Sequence, residues 1–406
     1  MFVENWYPQD IRIKNEADTL TAAGYSVTVV AFQKRGQSRT EVIEGVRVYR
    51  FPQVELFQKT PSDNASFLQR VWTKVQSLLG YLFEYLYFTT MCFAMAVYVA
   101  FKHGFDVIHA HNPPDTLFLV ALPFKLLGKA FVFDVHDLSP ELYMSRYGAE
   151  KGAITRVLGM AEWCSVKVAD AVIATNESYK KIVGDRANKD PQSIFVVRNG
   201  PHKRHMDPTP PNPGFRVANK SLLCYVGDLN PQDGLDYLLR SLHYLVHDLK
   251  RTDFHCVIIG SGDSLEDLRA LARDLQLDGT VKFTGFISED DLQAYLSTAD
   301  ICLDPDPSSP LNDVSTWIKI MEYMAHSKPI VSFDLKETRF SAQEAALYVP
   351  PNDERQFAQA IVRLMDDPAL RERMGAFGRE RVERELQWSV VGRELVNAYQ
   401  RLALSQ

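Results

Sequence analysis

The chain has 406 residues, of which 46% are hydrophobic and 24% charged, and its formal net charge is −6. That length holds two or three domains at about 150 residues each. The composition excludes a disordered or fibrous chain, and the mild acidity gives no support for general nucleic-acid binding. The charge is uneven: residues 1–200 carry 22 Lys+Arg and 20 Asp+Glu, so of the chain totals of 45 and 51 the remainder holds 23 and 31.

The opening "MFVENWYPQD" lacks a basic region followed by an apolar core and does not read as a signal peptide. As a first strand, "MFV" is short at three residues where about five or six are usual, which implies a trimmed strand or an upstream start. Short apolar or β-branched runs then alternate with amphipathic stretches, the pattern of a parallel α/β fold. The expected strands of the first half lie at 25–31, 45–51, 106–110, 130–136, 171–175 and 194–199. The Pro-rich "GPHKRHMDPTPPNPG", 200–214, reads as an interdomain linker. A second series follows at 221–227, 254–260, 280–285, 299–304, 328–334 and 346–350. Two Rossmann-like domains are thus expected, with ligands beyond the carboxyl ends of the strands.

Residues 78–101, "LLGYLFEYLYFTTMCFAMAVYVAF", contain a single charge, Glu84, and are long enough for a membrane span. A spanning helix, a helix wholly buried in the soluble core and an interfacial helix compete. The tyrosines and Trp72 favour the interfacial reading, because amphipathic aromatics suit the membrane boundary. The five cysteines are scattered without zinc spacing and read as buried, reduced thiols of a cytoplasmic protein.

Several turns carry chemistry. "CYVGDLNPQDGLDYLLRSL" is strand, turn and helix around Gly227. "VIIGSGDSLEDLRALA" repeats the arrangement, with Gly260 and Gly262 at the bend and Ser264 as a candidate N-cap. A GxG after a strand is weak evidence, and a purely structural turn is an equal reading. "KFTGFISEDDLQAYL" adds a loop at Phe286 and Ile287. In "NDVSTWIKIMEYMAHSKPIV" a helix starting near Ser315 and Thr316 would aim free N–H groups at an anionic phosphate. Glu322 shares a face with Lys319 and suits two neighbouring ribose hydroxyls.

The form K-x-x-E-x-M-A-x-x-K-P-I-V, with these turns and with "FDVIHAHNPPDTL" and "FDVHDLSPELY", resembles the retaining family 4 glycosyltransferases of the GT-B fold over nearly the whole chain. It is most similar to a branch common among bacterial surface-polysaccharide transferases. The resemblance implies domains at 1–205 and 206–385, with a membrane-proximal helix near 66–102. A last helix, 386–406, would cross back to the first domain. It also implies that Glu322 holds the donor ribose and that His136 hydrogen-bonds the transferring sugar. Arg12, His111, Asp137 and Glu141 would face the acceptor. The first glutamate of the family's pair falls at Val314, leaving Asp313 or Asn312 as a substitute. Where members place a diphosphate-clamping arginine and lysine, this chain has Asp228 and Asp233, and acids repel a diphosphate. Lys319 with the helix start, or Arg12 and Lys14, would then supply the positive charge.

"DPDPSSP", 304–310, reads as a loop, and His109 with His111 is a weak metal motif without a third ligand. No metal and no cofactor is expected beyond the nucleoside-diphosphate sugar donor, because helix N-termini and cations stabilise the leaving group in such enzymes. The expected activity is metal-independent, retaining transfer to a membrane-associated, lipid-linked acceptor, at the inner face of the cytoplasmic membrane. A nucleotide-sugar epimerase of the same fold and a catalytically silent binding subunit are the competing readings.

Overall fold

The computed structural model describes residues 1–54, 67–147, 152–201, 206 and 209–404, with residues 67–79, 81 and 82 described by their backbone alone. The chain divides into two compact units. The first comprises Met1–Pro140, Lys151–Val197 and Gly392–Gln406, and the second Glu141–Glu150 and Arg198–Val391. The chain passes from the first unit to the second after Val197 and returns to the first at Gly392, and residues 202–205, 207 and 208 of the Pro-rich stretch lie outside the described residues.

The first unit is built on β1 (Phe2–Trp6), β2 (Thr28–Gln33), β3 (Thr40–Ile43), β4 (Val46–Pro52), β5 (Val107–His111), β6 (Ala130–Val135), β7 (Ala171–Ala174) and β8 (Ile194–Val196). They form one sheet in the order β3-β4-β2-β1-β5-β6-β7-β8. All pairings are parallel except β3 with β4. All six residues of β6, "AFVFDV", are buried, as a central parallel strand covered on both faces requires. The first strand is longer than its apolar run. Glu4, Asn5 and Trp6 extend it because pairing with β2 resumes past an irregularity after Val3. The short antiparallel β3 escapes the periodicity signal. Its turn, Glu44–Gly45, has φ of 49° and 88°, the two left-handed positions of a tight hairpin.

The helix Phe67–Lys102 runs for 36 residues. Phe88, Cys92, Ala96 and Val99 are buried on its inner side, where Phe88 meets Phe32 and Phe51 at ring-centroid distances of 5.0 and 5.6 Å. Only 28% of its most apolar window is buried, so the wholly buried alternative does not hold.

The second unit carries β9 (Ser221–Val226), β10 (Phe254–Ile259), β11 (Val281–Gly285), β12 (Ile301–Asp304), β13 (Ile330–Phe333) and β14 (Ala346–Val349). Its order is β11-β10-β9-β12-β13-β14, all parallel. Each strand lies within a residue or two of its sequence expectation. Buried aliphatic cores fill both faces, one around Leu238, Leu242 and Phe357 and one around Ile320, Met324 and Val382. In doubly wound sheets ligands gather where the strand order reverses. Here those points are between β1 and β5 and between β9 and β12.

Candidate functional site

At the switch point of the second unit, the turns after β9, β10 and β12 are stitched to one another. Leu229 N–H donates to Ser261 O at 3.2 Å, and Ser264 N–H donates to Leu229 O at 2.9 Å. A side chain at Gly260 would put Cβ 1.8 Å from Gly227 O, and one at Gly262 would sit 2.5 Å from Leu229 O. These two glycines are thus required by the close packing of one turn on the other, a structural demand that holds whatever binds nearby. Gly227 itself has φ 156° at the end of β9. Ser264 occupies the N-cap position of the helix Leu265–Asp274, but its side chain makes no cap bond there. Asn312, seated in a short 3₁₀ turn, donates through Nδ2 to Gln232 O and Pro307 O, which joins the β12 loop to the β9 turn.

The helix of the glutamate motif begins later than expected, at Ile318, with Trp317 at its N-cap and no side-chain cap bond. Ser315 and Thr316 precede it. The Ser315 hydroxyl is buried and donates to Leu311 O. The Thr316 hydroxyl donates to Glu337 at 3.5 Å. Asp313 accepts from the Ser308 hydroxyl at 3.2 Å. Glu322 is partly exposed on the helix, whereas Tyr323 beside it is buried and accepts the Val226 N–H at 2.9 Å. Phe286 is 83% exposed, and Ile287 packs partly against the core.

Lys319 does not offer the unspent cation that the sequence suggested. Its ammonium is buried, 2.7 Å from Asp306 Oδ1 and 3.3 Å from Asp304 Oδ1, with the Tyr225 ring 5.0 Å away. Burial opposes its charge, but Asp306, Asp304 and Asp233 overcome this and keep it protonated. Asp233 accepts the Asn230 N–H at 3.0 Å, and burial pushes it up to about 6 against the pull of Lys319. The acid at a clamp position is therefore an internal partner of the lysine, and the "DPDP" loop is a buried ionic element.

At the switch point of the first unit, β5 and β6 bring histidines and acids together. Their register pairs His111 with Asp134. His111 Nδ1 lies 3.1 Å from His136 Nε2, and Asp134 Oδ2 lies 3.3 and 3.4 Å from those two atoms. Glu16, on the helix Ile11–Ala22, brings Oε2 to 3.7 Å from His111 Nε2. His109 stands 3.4 Å from Asp134 and bonds Tyr399 at 2.9 Å. Parallel strand register and a covering helix thus gather Asp134, His136 and Glu16 around His111, residues distant in sequence that the His109–His111 spacing did not reveal. Burial and the neighbouring Asp134 hold Glu16 well above the usual carboxylate range. Asp134 is held well below that range despite its burial, by His136 and by hydrogen bonds from the three histidines.

Asn112 is the residue that motif reading missed. Its Oδ1 accepts the N–H groups of His136 at 2.7 Å and Asp137 at 3.2 Å. Its Nδ2 donates to Asp115 at 2.9 Å and Asp137 O at 2.8 Å. It therefore clamps the loop after β5 to the loop after β6. Its only sequence signal is its place between His111 and two prolines. Arg12 is tied to Asp10 at 2.8 Å and keeps a side chain 30% exposed, while Lys14 pairs with Asp18 at 2.6 Å and with Glu44, so Lys14 is not a free cation. Glu141 sits partly buried in the first turn of the helix Ser139–Tyr147.

Residues 10–200 match the family described as glycosyl transferase 4-like domain, and residues 220–367 match glycosyl transferases group 1. An uncharacterized glycosyltransferase of Methanocaldococcus jannaschii is 24% identical over 73% of this chain and 75% of its own length. A GDP-mannose-dependent phosphatidylinositol monomannoside mannosyltransferase of Corynebacterium glutamicum is 32% identical, over 46% of this chain and 49% of that protein. Among solved structures, sucrose-phosphate synthase from Thermosynechococcus elongatus superposes with a TM-score of 0.75 at 20% identity, covering 99% of this chain and 95% of the other. HepE of Anabaena, solved in complex with UDP, gives 0.69 at 15% identity over 98% and 99%. Fold and matches define the class as the GT-B enzymes. Within it the chain is a glycosyltransferase, with one family match in each Rossmann-like half.

Proposed function

We propose that the protein moves a sugar, with retention of configuration, from a nucleoside diphosphate to a lipid-linked acceptor at the inner face of the cytoplasmic membrane, in the synthesis of cell-surface polysaccharide. The observation that carries the membrane part is an outward apolar face on three helices of the first unit, which pack in sequence against one another. Phe67–Lys102 exposes Leu86, Phe93 and Phe101, and the next, Phe118–Lys125, exposes Leu119 and Leu122 and leads into exposed Leu126 and Leu127. Ala153–Val168 exposes Val157, Met160 and Trp163. Water-facing helices of a soluble protein carry polar residues there. Exposed Lys102 and Arg156 lie on the same helices and suit anionic headgroups. The mannosyltransferase relative, which by its name acts on a phosphatidylinositol glycolipid, supports a lipid acceptor.

For the donor, Glu322 accepts the ribose hydroxyls, and the uncapped N–H groups at the start of Ile318–Ala325 receive the diphosphate. His136 hydrogen-bonds the transferring sugar. The acceptor hydroxyl attacks the face the diphosphate leaves, and the leaving phosphate oxygen takes its proton, so no protein base is required. UDP in the structure of HepE supports a nucleotide at this kind of fold. The test is incubation of the protein with membranes and a panel of radiolabelled nucleotide sugars. Label entering organic-extractable lipid is expected; an altered free nucleotide sugar, or no reaction with any donor, would sink the proposal.

A further inference from the structure

We propose that the first unit holds, at the amino ends of its strands, a binding site for a single-chain anionic amphiphile. The hydrocarbon tail lies inside the sheet, and the phosphate head sits at Arg47, His103 and Lys129. The source of that amphiphile, a lipid of the docked membrane, rests on the reading given above.

The cavity measures about 490 Å³, within the range of about 300–1,000 Å³ usual for small-molecule sites. Strand register creates it. Phe2, at the start of β1, pairs with Val30 of β2 and Ala110 of β5, while β2 begins at Thr28 and β5 at Val107. The flanking strands therefore run past β1 on both sides, and there they stand two strand spacings, about 9–10 Å, apart. The crossovers from β1 to β2 and from β4 to β5 run in opposite directions along the sheet, so right-handed connections put their helices on opposite faces. Leu20 and Tyr399 line one side, and Ala96 and Val99 the other. A slot one strand wide between apolar walls fits a straight alkyl chain and excludes a bulky or branched ligand.

A second observation, independent of the slot, is the charge at its solvent side. Three lining residues that reach solvent there, Arg47, His103 and Lys129, are basic. The single acid in the lining, Asp106, pairs with Lys129 at 3.1 Å. His103 Nε2 lies 2.8 Å from the Tyr49 hydroxyl oxygen. Partial desolvation, with Arg47 and Lys102 nearby, holds His103 below the usual imidazole range. Cations that oppose one another's charge are relieved by an anionic head, which their N–H groups can also bond.

The mouth adjoins the apolar face. Phe101 precedes the turn that carries His103, and Leu126 and Leu127 precede Lys129, and all three apolar side chains are exposed. A protein docked through them holds the opening at the level of lipid headgroups. His111 and His136 stand at the opposite, carboxyl ends of β5 and β6, so this site is separate from theirs.

The experiment titrates the full chain with dodecyl phosphate below its micelle concentration in calorimetry, with inorganic phosphate and dodecyl phosphocholine as controls. One dodecyl phosphate per chain is expected, with no binding of inorganic phosphate and at least about tenfold weaker binding of the zwitterion. Ala96→Leu, which fills the slot, and Arg47→Gln, which removes a cation from its mouth, should each weaken dodecyl phosphate at least about tenfold. Absence of saturable one-to-one binding by the wild-type chain overturns the site whether or not the variants fold. Undiminished binding by either variant in folded form, or equal binding of the zwitterion, overturns it as well. Vesicle binding by a wild-type chain that ignores dodecyl phosphate sinks this site alone. Dodecyl phosphate binding by a chain that ignores vesicles sinks the membrane reading alone.

Discussion

Lys319 Nζ and Asp306 Oδ1 stand 2.7 Å apart in the interior of the second unit, and Asp304 completes the contact from the end of β12. The lysine of the glutamate motif is spent inside the protein, on acids that a linear reading treated simply as a loop. Its first consequence is for stability. Replacing Lys319 with Met strands buried acids, so unfolding free energy should fall by about 3–5 kcal/mol in chemical denaturation. Adding Asp306→Asn to Lys319→Met should recover part of that loss, and strict additivity of the two changes would contradict the pairing.

Glu322 lies one turn after Lys319 but remains partly exposed. Glu322→Ala should abolish nucleotide-sugar binding in calorimetry while leaving the melting temperature close to wild type. Unchanged affinity would remove this helix from the donor site.

Asp115 gives a pH signature. Burial pushes its carboxyl from an ordinary value near 3.8 up to about 6, against hydrogen bonds from Ser139 and Asn112. The folded protein therefore holds that proton more tightly than the unfolded chain, and stability should fall as pH rises from about 4 through 6. The single-group contribution is on the order of 1–3 kcal/mol. Asp233, also raised to about 6, adds to the same slope. Asp115→Asn should flatten the profile in that window. A profile as steep as that of the wild type would count against the buried protonated acid.

Asn112→Ala removes three contacts between the loops after β5 and β6, to His136 N–H, Asp137 N–H and Asp137 O, and one within the loop after β5, to Asp115. A loss of about 2 kcal/mol or more is expected, together with lower kcat at saturating donor, because His136 loses its backbone anchor. Asn112→Asp restores the acceptor oxygen alone and should recover less than half of the loss.

Phe101 and Leu126 are 89% and 90% exposed, so changing them should leave the fold intact. The double variant Phe101→Glu, Leu126→Glu should bind anionic vesicles at least about tenfold more weakly in sedimentation, since each apolar side chain contributes about 1.5–3 kcal/mol when buried. Equal binding would rule out the apolar face as the docking surface. If a carbonate wash leaves the wild-type protein in membranes, the helix spans and the interfacial reading fails.

Much of this was readable from local pattern. The β-branched runs located the parallel strands to within about three residues, since continuous apolarity is what a strand buried on both faces demands. The hairpin strand β3 was not readable, because "TEVI" is short, mostly exposed and defined by its partner β4. The motif around Glu322 was legible for a similar local reason: it is one helix followed by one strand. The start of that helix was misplaced by three residues, since the hydroxyls of Ser315 and Thr316 bond to Leu311 and Glu337 and do not cap it.

By itself, then, the sequence determined the alternating α/β architecture, the glycine turns and the glutamate helix, all of which follow from the chemistry of neighbours along the chain. Tertiary structure alone decided three things: that Lys319 is neutralised by Asp304 and Asp306, that His111, Asp134, His136 and Glu16 meet, and which face of Phe67–Lys102 looks outward. Each depends on groups distant in sequence. Charge, contact and exposure are set by what lies across a strand register or beneath a helix, and no local pattern carries that information.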